Sequence, residues 1–516
     1  MAGGGLVAIA GVFACTRANP AFDASESAAE ASETSAVGEG TTGVSGSVDD
    51  SDAEDTALPP EATTSGGLDS TSSPLDDTSS GDECTSDEEC PEGMVCDSSC
   101  VAVCGDGLVL ASEACDDGND VDGDGCDVDC TPTELVVGAS FVNTCVLIEG
   151  GRARCWGENG YGQLGLGHTD DTSQYEAWQG GDLPLPGPLR QLGMGDNHFC
   201  GVLAATDDVI CWGEAEGGML GYANTTALFA PPAAAVEVGF PVRSMVGGQY
   251  HSCALGLGGE VACWGFGPEL GYGHLHAIGD DESPSSQGTV LVPAGASISA
   301  GVQTTCIVDD FGAILCWGAN DSGQLGVGHL EPVGDNETPN DLLFFDQPAL
   351  TVEAGYHHTC ALFAGGSVRC WGSAVFGQLG RGDEQMLGHI EPVTTIEPVE
   401  FGERSLVVDL TVGDRHSCVL FEDGRAKCWG LGLSGQLGQG GFDDIGDDER
   451  PSEIPTIDLG GQRILQIEAG GDHTCAVVEG HQLYCWGEND SGQLGLGHTL
   501  DVSNPLDGWV PVHDPA

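Results

Sequence analysis

From Glu134 onward, polar and apolar residues alternate over runs of about five positions that flank glycine turns. His251-Ser-Cys253-Ala-Leu255 leads into Gly258-Gly259 and then into Glu260-Val-Ala-Cys263-Trp264-Gly265. Alternation with a period of two on both sides of a glycine turn predicts a β-hairpin. Val242-Arg-Ser-Met-Val246 upstream and Thr289-Val-Leu-Val292 downstream read as two more strands, so the unit is expected to be a four-stranded sheet.

This unit recurs. Trp156, Trp212, Trp264, Trp317, Trp371, Trp429 and Trp486 mark seven copies, spaced 52 to 58 residues apart. Known propeller repeats run to ~40–50 residues per blade, and this one is slightly longer. The fold class expected is therefore all-β, a seven-bladed β-propeller over residues 134–516, a closed ring without exposed sheet edges. Trp509 to Val512 reads as the last strand, expected to pair with the first blade near Leu135 and seal the ring.

Each unit also holds one cysteine pair: Cys145 and Cys155, Cys200 and Cys211, Cys253 and Cys263, Cys306 and Cys316, Cys360 and Cys370, Cys418 and Cys428, Cys475 and Cys485. With the hairpin turn centred near Gly150, Cys145 and Cys155 face each other on neighbouring strands. Directly opposed Cβ atoms lie ~4.5–5.5 Å apart, near disulfide range in the closer pairing. Seven disulfides are expected in preference to buried thiols. Zinc is disfavoured, because no CxxC occurs and only five units place a histidine two residues before the first cysteine.

Charge narrows the function. There are 82 acidic against 13 basic side chains, a formal net charge of −69. Such a surface repels phosphate backbones, so nucleic-acid binding is not expected. The 23 cysteines are natural where disulfides persist, which indicates an oxidising, extracytoplasmic compartment.

Ahead of the propeller lie three further segments. Residues 1–15 contain an apolar stretch, Leu6 to Ala14, ending at Cys15, which resembles the end of a bacterial lipoprotein signal although no Lys or Arg precedes it. Lipidation of Cys15, the cysteine left without a partner, would anchor the chain to an envelope membrane, the one membrane contact expected. Residues 16–82 are Ser-, Thr-, Gly- and acid-rich and read as a disordered tether. Residues 83–132 carry eight cysteines between Cys84 and Cys130, a disulfide-stabilised module. Its second half, with Cys104-Gly-Asp-Gly, Cys115-Asp-Asp-Gly-Asn and Gly123-Asp-Gly-Cys126, resembles a cysteine-rich repeat of secreted bacterial proteins. Asp120, Asp122 and Asp124 imitate the first half of a calcium loop, but Thr131 stands where an EF-hand needs its bidentate acid. A weak calcium site of another geometry, or solvated turns, remain as readings, and no other cofactor is expected.

Trp156-Gly-Glu-Asn-Gly-Tyr-Gly-Gln-Leu-Gly165, Trp317-Gly-Ala-Asn-Asp-Ser-Gly-Gln-Leu-Gly326 and Trp486-Gly-Glu-Asn-Asp-Ser-Gly-Gln-Leu-Gly495 resemble the repeat of the regulator-of-chromosome-condensation family. Blade two departs most, with Gly217-Gly-Met-Leu-Gly221. The resemblance implies a seven-bladed ring. It also implies two functions: binding a protein through one propeller face, as a secreted inhibitor among the bacterial relatives does, or guanine-nucleotide exchange, as the nuclear founder does.

Candidate chemistry is sparse. His198, His251, His358, His416 and His473 share one repeat position, with Asn143 and Thr304 in the other two units, and read as structural hydrogen-bonding residues. The GxGxxG at Gly160 to Gly165 lacks a βαβ context and reads as a turn. Arg381-Gly382-Asp383 fills an ordinary repeat position. More informative are three acidic loops in equivalent places: Asp280-Asp281-Glu282, Asp335-Asn336-Glu337 and Asp447-Asp448-Glu449. On one rim they would meet a cationic partner or a divalent ion, or stay solvated. The function expected is a surface-anchored, non-enzymatic, monomeric module gripping a protein or glycan. Nucleotide exchange and a hydrolase with carboxylates and a lone histidine at the ring centre are the alternatives.

Overall fold

The computed structural model describes residues 133–170 and 172–513, together with the paired strands Met94–Cys96 and Cys100–Ala102, in which Cys96 lies opposite Cys100. Cys15, the tether and Asp120, Asp122 and Asp124 lie outside the described residues.

Seven antiparallel sheets follow one another along the chain. The inner strands, nearest the axis, are Leu135–Ala139, Leu189–Met194, Val242–Gly247, Gly295–Ala300, Ala349–Ala354, Val407–Val412 and Ile464–Ala469. The middle strands are Asn143–Ile148, His198–Leu203, His251–Gly256, Thr304–Asp309, His358–Phe363, His416–Phe421 and His473–Val478. The outer strands are Arg152–Gly157, Val209–Gly213, Val261–Gly265, Ile314–Gly318, Ser367–Gly372, Ala426–Gly430 and Leu483–Gly487. A middle strand such as His251–Gly256 is buried at every position, because both faces of its blade are covered by neighbouring blades.

Two expectations are corrected. The fourth strand is not a strand in the first six blades. It shrinks to a single contact per blade, as in Val290 N–H to Val261 O at 2.8 Å and the Ile314–Leu343 bridge. Residues such as Pro293 and Pro348 sit just beyond and leave the chain little length to pair before it enters the next blade. Only the last blade has a true fourth strand, Trp509–Val510. It pairs with Leu483 and Tyr484 of its own blade and not with the first. The ring therefore closes without strand exchange, through the same side-chain contacts that join every other pair of blades.

Those contacts explain the repeat. All seven tryptophan indoles donate to a backbone carbonyl in the preceding blade, at the Gln position of Gly-Gln-Leu-Gly. Trp212 reaches Gln163 O at 3.0 Å, Trp371 reaches Gln324 O at 2.9 Å, and Trp156 reaches Gln493 O across the closure at 2.9 Å. The acceptor is main chain, so blade two tolerates Met219, whose carbonyl takes Trp264 at 3.0 Å. The final glycine lies against the same indole: a Cβ on Gly165 would stand 2.7 Å from Trp212 Nε1.

The repeated histidines form a second belt. His198, His251, His358, His416 and His473 are fully buried, and each Nε2 meets a Ser or Thr hydroxyl of the next blade at 2.8–2.9 Å. Thr144, Ser252, Thr305 and Thr474 spend their single hydroxyl proton on the carbonyl that also accepts the indole. The imidazole must therefore donate from Nε2, leaving Nδ1 without a partner. Burial pushes these rings down to about 3 for His251, His358 and His473 and to about 4 for His198 and His416, so they stay neutral. The junction of blades one and two has lost both halves of the pair, with Asn143 and Phe199 in the two places.

Each cysteine pair occupies opposed register positions on the middle and outer strands and is joined as a disulfide, with Cα atoms 4.0 to 4.1 Å apart. Each closes a short loop, which in the chain-entropy account stabilises by ~3 kcal/mol.

Candidate functional site: an acidic edge and a central channel

The register fixes which loops share an edge of the ring. His251 pairs with Gly265 and Ser252 with Gly247, so the turn between inner and middle strands and the segment after Trp-Gly leave the sheet together. They are tied in every blade: Phe266 N–H donates to Tyr250 O, Leu431 N–H to Arg415 O and Glu488 N–H to Asp472 O, at 2.9 to 3.0 Å. Phe141, Tyr161, Tyr250, Phe266, Val375 and Leu433 all stand exposed on this edge. Arg415 is the one Lys or Arg in its seven inter-strand turns, against Asp196, Asp414 and Asp472 in the turns and Glu158, Glu214 and Glu488 just after Trp-Gly.

The three acidic loops belong to this edge. Each follows a bridge to the Gly of Trp-Gly, Ile278 on Gly265, Val333 on Gly318 and Ile445 on Gly430. Each then rests on the blade before it. Gly279, Gly334 and Gly446 accept from the backbone N–H of Asn224, Gly273 and Gly382, and all three glycines take left-handed φ of 96 to 106°. Gly382 is the centre of Arg381-Gly382-Asp383, whose ends pair with each other at 3.2 Å. Asp280, Asp281 and Glu282 form one group with a ligand oxygen each within 4.8 Å, and Asp447, Asp448 and Glu449 form another. Desolvation, with the adjoining aspartates, pushes Glu282 and Glu449 up to about 7, and Glu337 is raised for the same reasons beside Asp335. Asn336 interrupts the third loop.

At the centre is a set the repeat pattern did not single out. Two small cavities, of about 110 and 90 Å³, share a collar of Ala139, Met194, Gly247, Ala300, Ala354, Val412 and Ala469. Glu353, Asp409 and Glu468 line the channel on the inner-strand side of the collar, and Asp196 and Asp414 stand at its mouth. Ser299 Oγ donates to Glu353 at 3.0 Å, and Gln466 Nε2 to Glu468 at 3.0 Å. Burial, helped by Asp409 and Glu353, holds Glu468 well above the usual carboxylate range. Burial also raises Asp196 to about 6, and burial with Asp196 and Asp472 nearby raises Asp414 to about 8. No histidine lines either cavity, so the acid–histidine constellation of a central hydrolase is not assembled among the described residues.

The comparisons agree with this architecture. The RCC1-like domain profile matches residues 100–456, and regulator of chromosome condensation (RCC1) repeats match 464–493 and 481–513. The chain is 28% identical over 381 residues to the ultraviolet-B receptor UVR8 of Arabidopsis thaliana, covering 72% of this chain and 80% of that one. It is 27% identical over 348 residues to the secretion-regulating guanine nucleotide exchange factor of Bos taurus, covering 66% and 60%. Among solved structures it is similar to human WBSCR16, with a TM-score of 0.55 at 20% identity over 68% of this chain and 92% of that one. Prp20p of Saccharomyces cerevisiae, a protein with binding properties to Gsp1p and histones, gives 0.52 at 20% identity over 65% and 80%. With seven indole-bearing blades and a profile match over most of its length, the chain belongs to the regulator of chromosome condensation (RCC1) repeat family.

Proposed function

We propose that this propeller is an extracytoplasmic, non-catalytic binding module that docks a basic protein surface on its acidic edge. One observation carries the reading: a single edge collects the carboxylates of the turns, the post-tryptophan segments and the three loops around exposed aromatic residues, with Arg415 the one Lys or Arg in the turns and Arg381 and Arg450 beside the loops already paired to Asp383 and Glu400. Charge of one sign around an apolar centre steers and selects a partner of opposite sign. Aromatic side chains are the residues that anchor interfaces. Seven disulfides favour an oxidising compartment, and a lipidated Cys15 would hold the ring at an envelope membrane through its acidic tether. The reading requires no cofactor.

The test is hydrogen-exchange footprinting of the full chain with partners captured from envelope fractions. A basic partner protecting Tyr250, Phe266 and the segment after Trp486 is expected. Protection confined to the opposite edge, at hairpin turns such as Gly258-Gly259, would contradict it. So would accelerated nucleotide release from a small GTPase, the activity named for the Bos taurus relative.

A further inference from the structure

The channel differs from the rest of the acidic edge in one respect. Asp414 is only 9% exposed, and among the described residues its carboxylate accepts no hydrogen bond and joins no ion pair. Its neighbour Arg415 turns aside to Asp472 at 4.0 Å and to the ring of Phe376. Its main chain is fully engaged, donating to Gly471 O at 3.1 Å and accepting from Tyr356 N–H at 3.2 Å, so the turn is fixed where Asp414 lines the mouth cavity. A buried charged group without a partner is costly unless a ligand supplies one.

Two features specify that ligand. The collar below Asp414 is built of small and apolar side chains, which suit a methylene stem and offer a bare ion nothing. The acids are also strung along the axis. In blade six, Thr411 at the level of Glu468 and Asp414 at the mouth are three residues apart, up to ~10 Å of chain. The three-acid groups whose oxygens converge within 4.8 Å lie on the rim, and among the described residues none lies in the channel. A calcium ion needs six to eight converging oxygens; an elongated cation needs carboxylates at intervals.

We propose that the mouth of the channel is a socket for one arginine or lysine side chain of the partner polypeptide, with its cationic head held between Asp196 and Asp414 and its apolar stem against the small side chains of the collar. A guanidinium, planar with five donors, reaches carboxylates on more than one blade at once. This rests on the reading that the acidic edge is the docking face, and it names the anchor of that contact.

Calorimetry of the full chain with the end-blocked peptide Gly-Ser-Arg-Ser-Gly, its lysine and citrulline counterparts, and calcium chloride tests the proposal. The arginine or lysine peptide is expected to bind at least tenfold more tightly than the citrulline peptide. Asp414→Asn is expected to weaken that binding at least tenfold, while Glu260→Gln, on the Gly258-Gly259 hairpin of the opposite edge, changes it less than twofold. Asp414→Asn removes an unpartnered buried charge and should fold, which its melting midpoint will verify. Equal binding of the citrulline peptide, indifference to Asp414→Asn, or displacement of the peptide by calcium alone would each overturn the socket. The footprint separates the two claims: edge protection without peptide binding removes the socket and leaves the docking face standing.

Discussion

The rim triads and the channel acids are made of the same side chains, yet they sit in different electrostatic worlds. Asp280–Asp281–Glu282 and Asp447–Asp448–Glu449 crowd their charges at the water boundary, where salt and counter-ions reach them. Asp414 and Glu468 stand apart from each other but inside the protein, where Asp414 gains no hydrogen bond in place of water and Glu468 gains only those of Gln466 and Thr411. The rim repels itself in water and the channel repels its own ionisation. A partner that meets the rim gains encounter rate; one that enters the channel restores to Asp414 a missing ionic partner.

The largest expected effect follows from the channel. A carboxyl whose folded pKa is raised costs nothing below its unfolded value and lowers stability progressively as pH rises toward its folded value. For Asp414 that window runs from about 4 to about 8, at ~1.4 kcal/mol per pH unit. Asp414→Asn should therefore stabilise the fold at pH 8 by ~2–5 kcal/mol and by almost nothing at pH 4. Asp281→Asn and Asp448→Asn should stay within ~0.5 kcal/mol at both. Melting midpoints at the two pH values read the difference, and equal shifts for rim and channel variants would erase the distinction.

Next in size is the histidine belt that holds the mouth in place. His416→Ala removes the bond to Thr474 two residues beyond Asp414 and should cost ~1–3 kcal/mol. At the junction of blades one and two, Asn143→Ala breaks only the bond to Glu158 O and should cost less, ~1 kcal/mol. These rings have the opposite pH sign from Asp414. Their folded pKa values lie below the unfolded one, so their contribution is full above about 6.5 and is lost as pH falls toward 4. His416→Ala should therefore reduce the loss of stability on the acid side and Asp414→Asn the loss on the alkaline side, two slopes a urea series at several pH values will show.

The smallest effect separates the two regions by salt. Burial is the first cause of the raised values in both regions, but the aspartate neighbours of Glu282 and Glu449 lie at the water boundary, where salt screens them. Raising ionic strength should remove that second part for Glu282 and Glu449 and move Asp414, whose charged neighbours lie further inside, less. Carbon-13 carboxyl titrations at low and high salt measure both in one sample.

Much of this was legible in the residues and some was not. The tryptophan and cysteine spacings carry the blade count and the hairpin register, because an indole, a disulfide and a glycine contact recur with fixed geometry in every unit. The fourth strand was overread: Thr289–Val292 has strand-like residues, yet only Val290 keeps a ladder bond. Closure was misplaced, since Trp509 pairs with Tyr484 where the interblade bonds of Trp156 and His473 already seal the ring. The rim loops stood out because three near-identical copies draw attention. The channel did not, because its acids sit at positions of no fixed residue type: Glu353 and Glu468 share a place filled elsewhere by Gly138, Gly193, Val246, Ser299 and Thr411, and Asp414 and Asp196 share one filled by Phe141, Gln249, Val302, Tyr356 and Gly471. Their signal was irregularity itself: aligned repeat by repeat, an acid in one or two copies where the rest are neutral marks a residue the scaffold does not need.

The most direct measurement is the titration of the Asp414 carboxyl in the full chain, assigned by its loss in Asp414→Asn, with and without the arginine peptide. An uncompensated buried carboxylate will titrate near 8 alone and well below that when the guanidinium is seated. Titration near 4 in both samples would mean that Asp414 is solvated or already paired, and the channel would have no place in recognition.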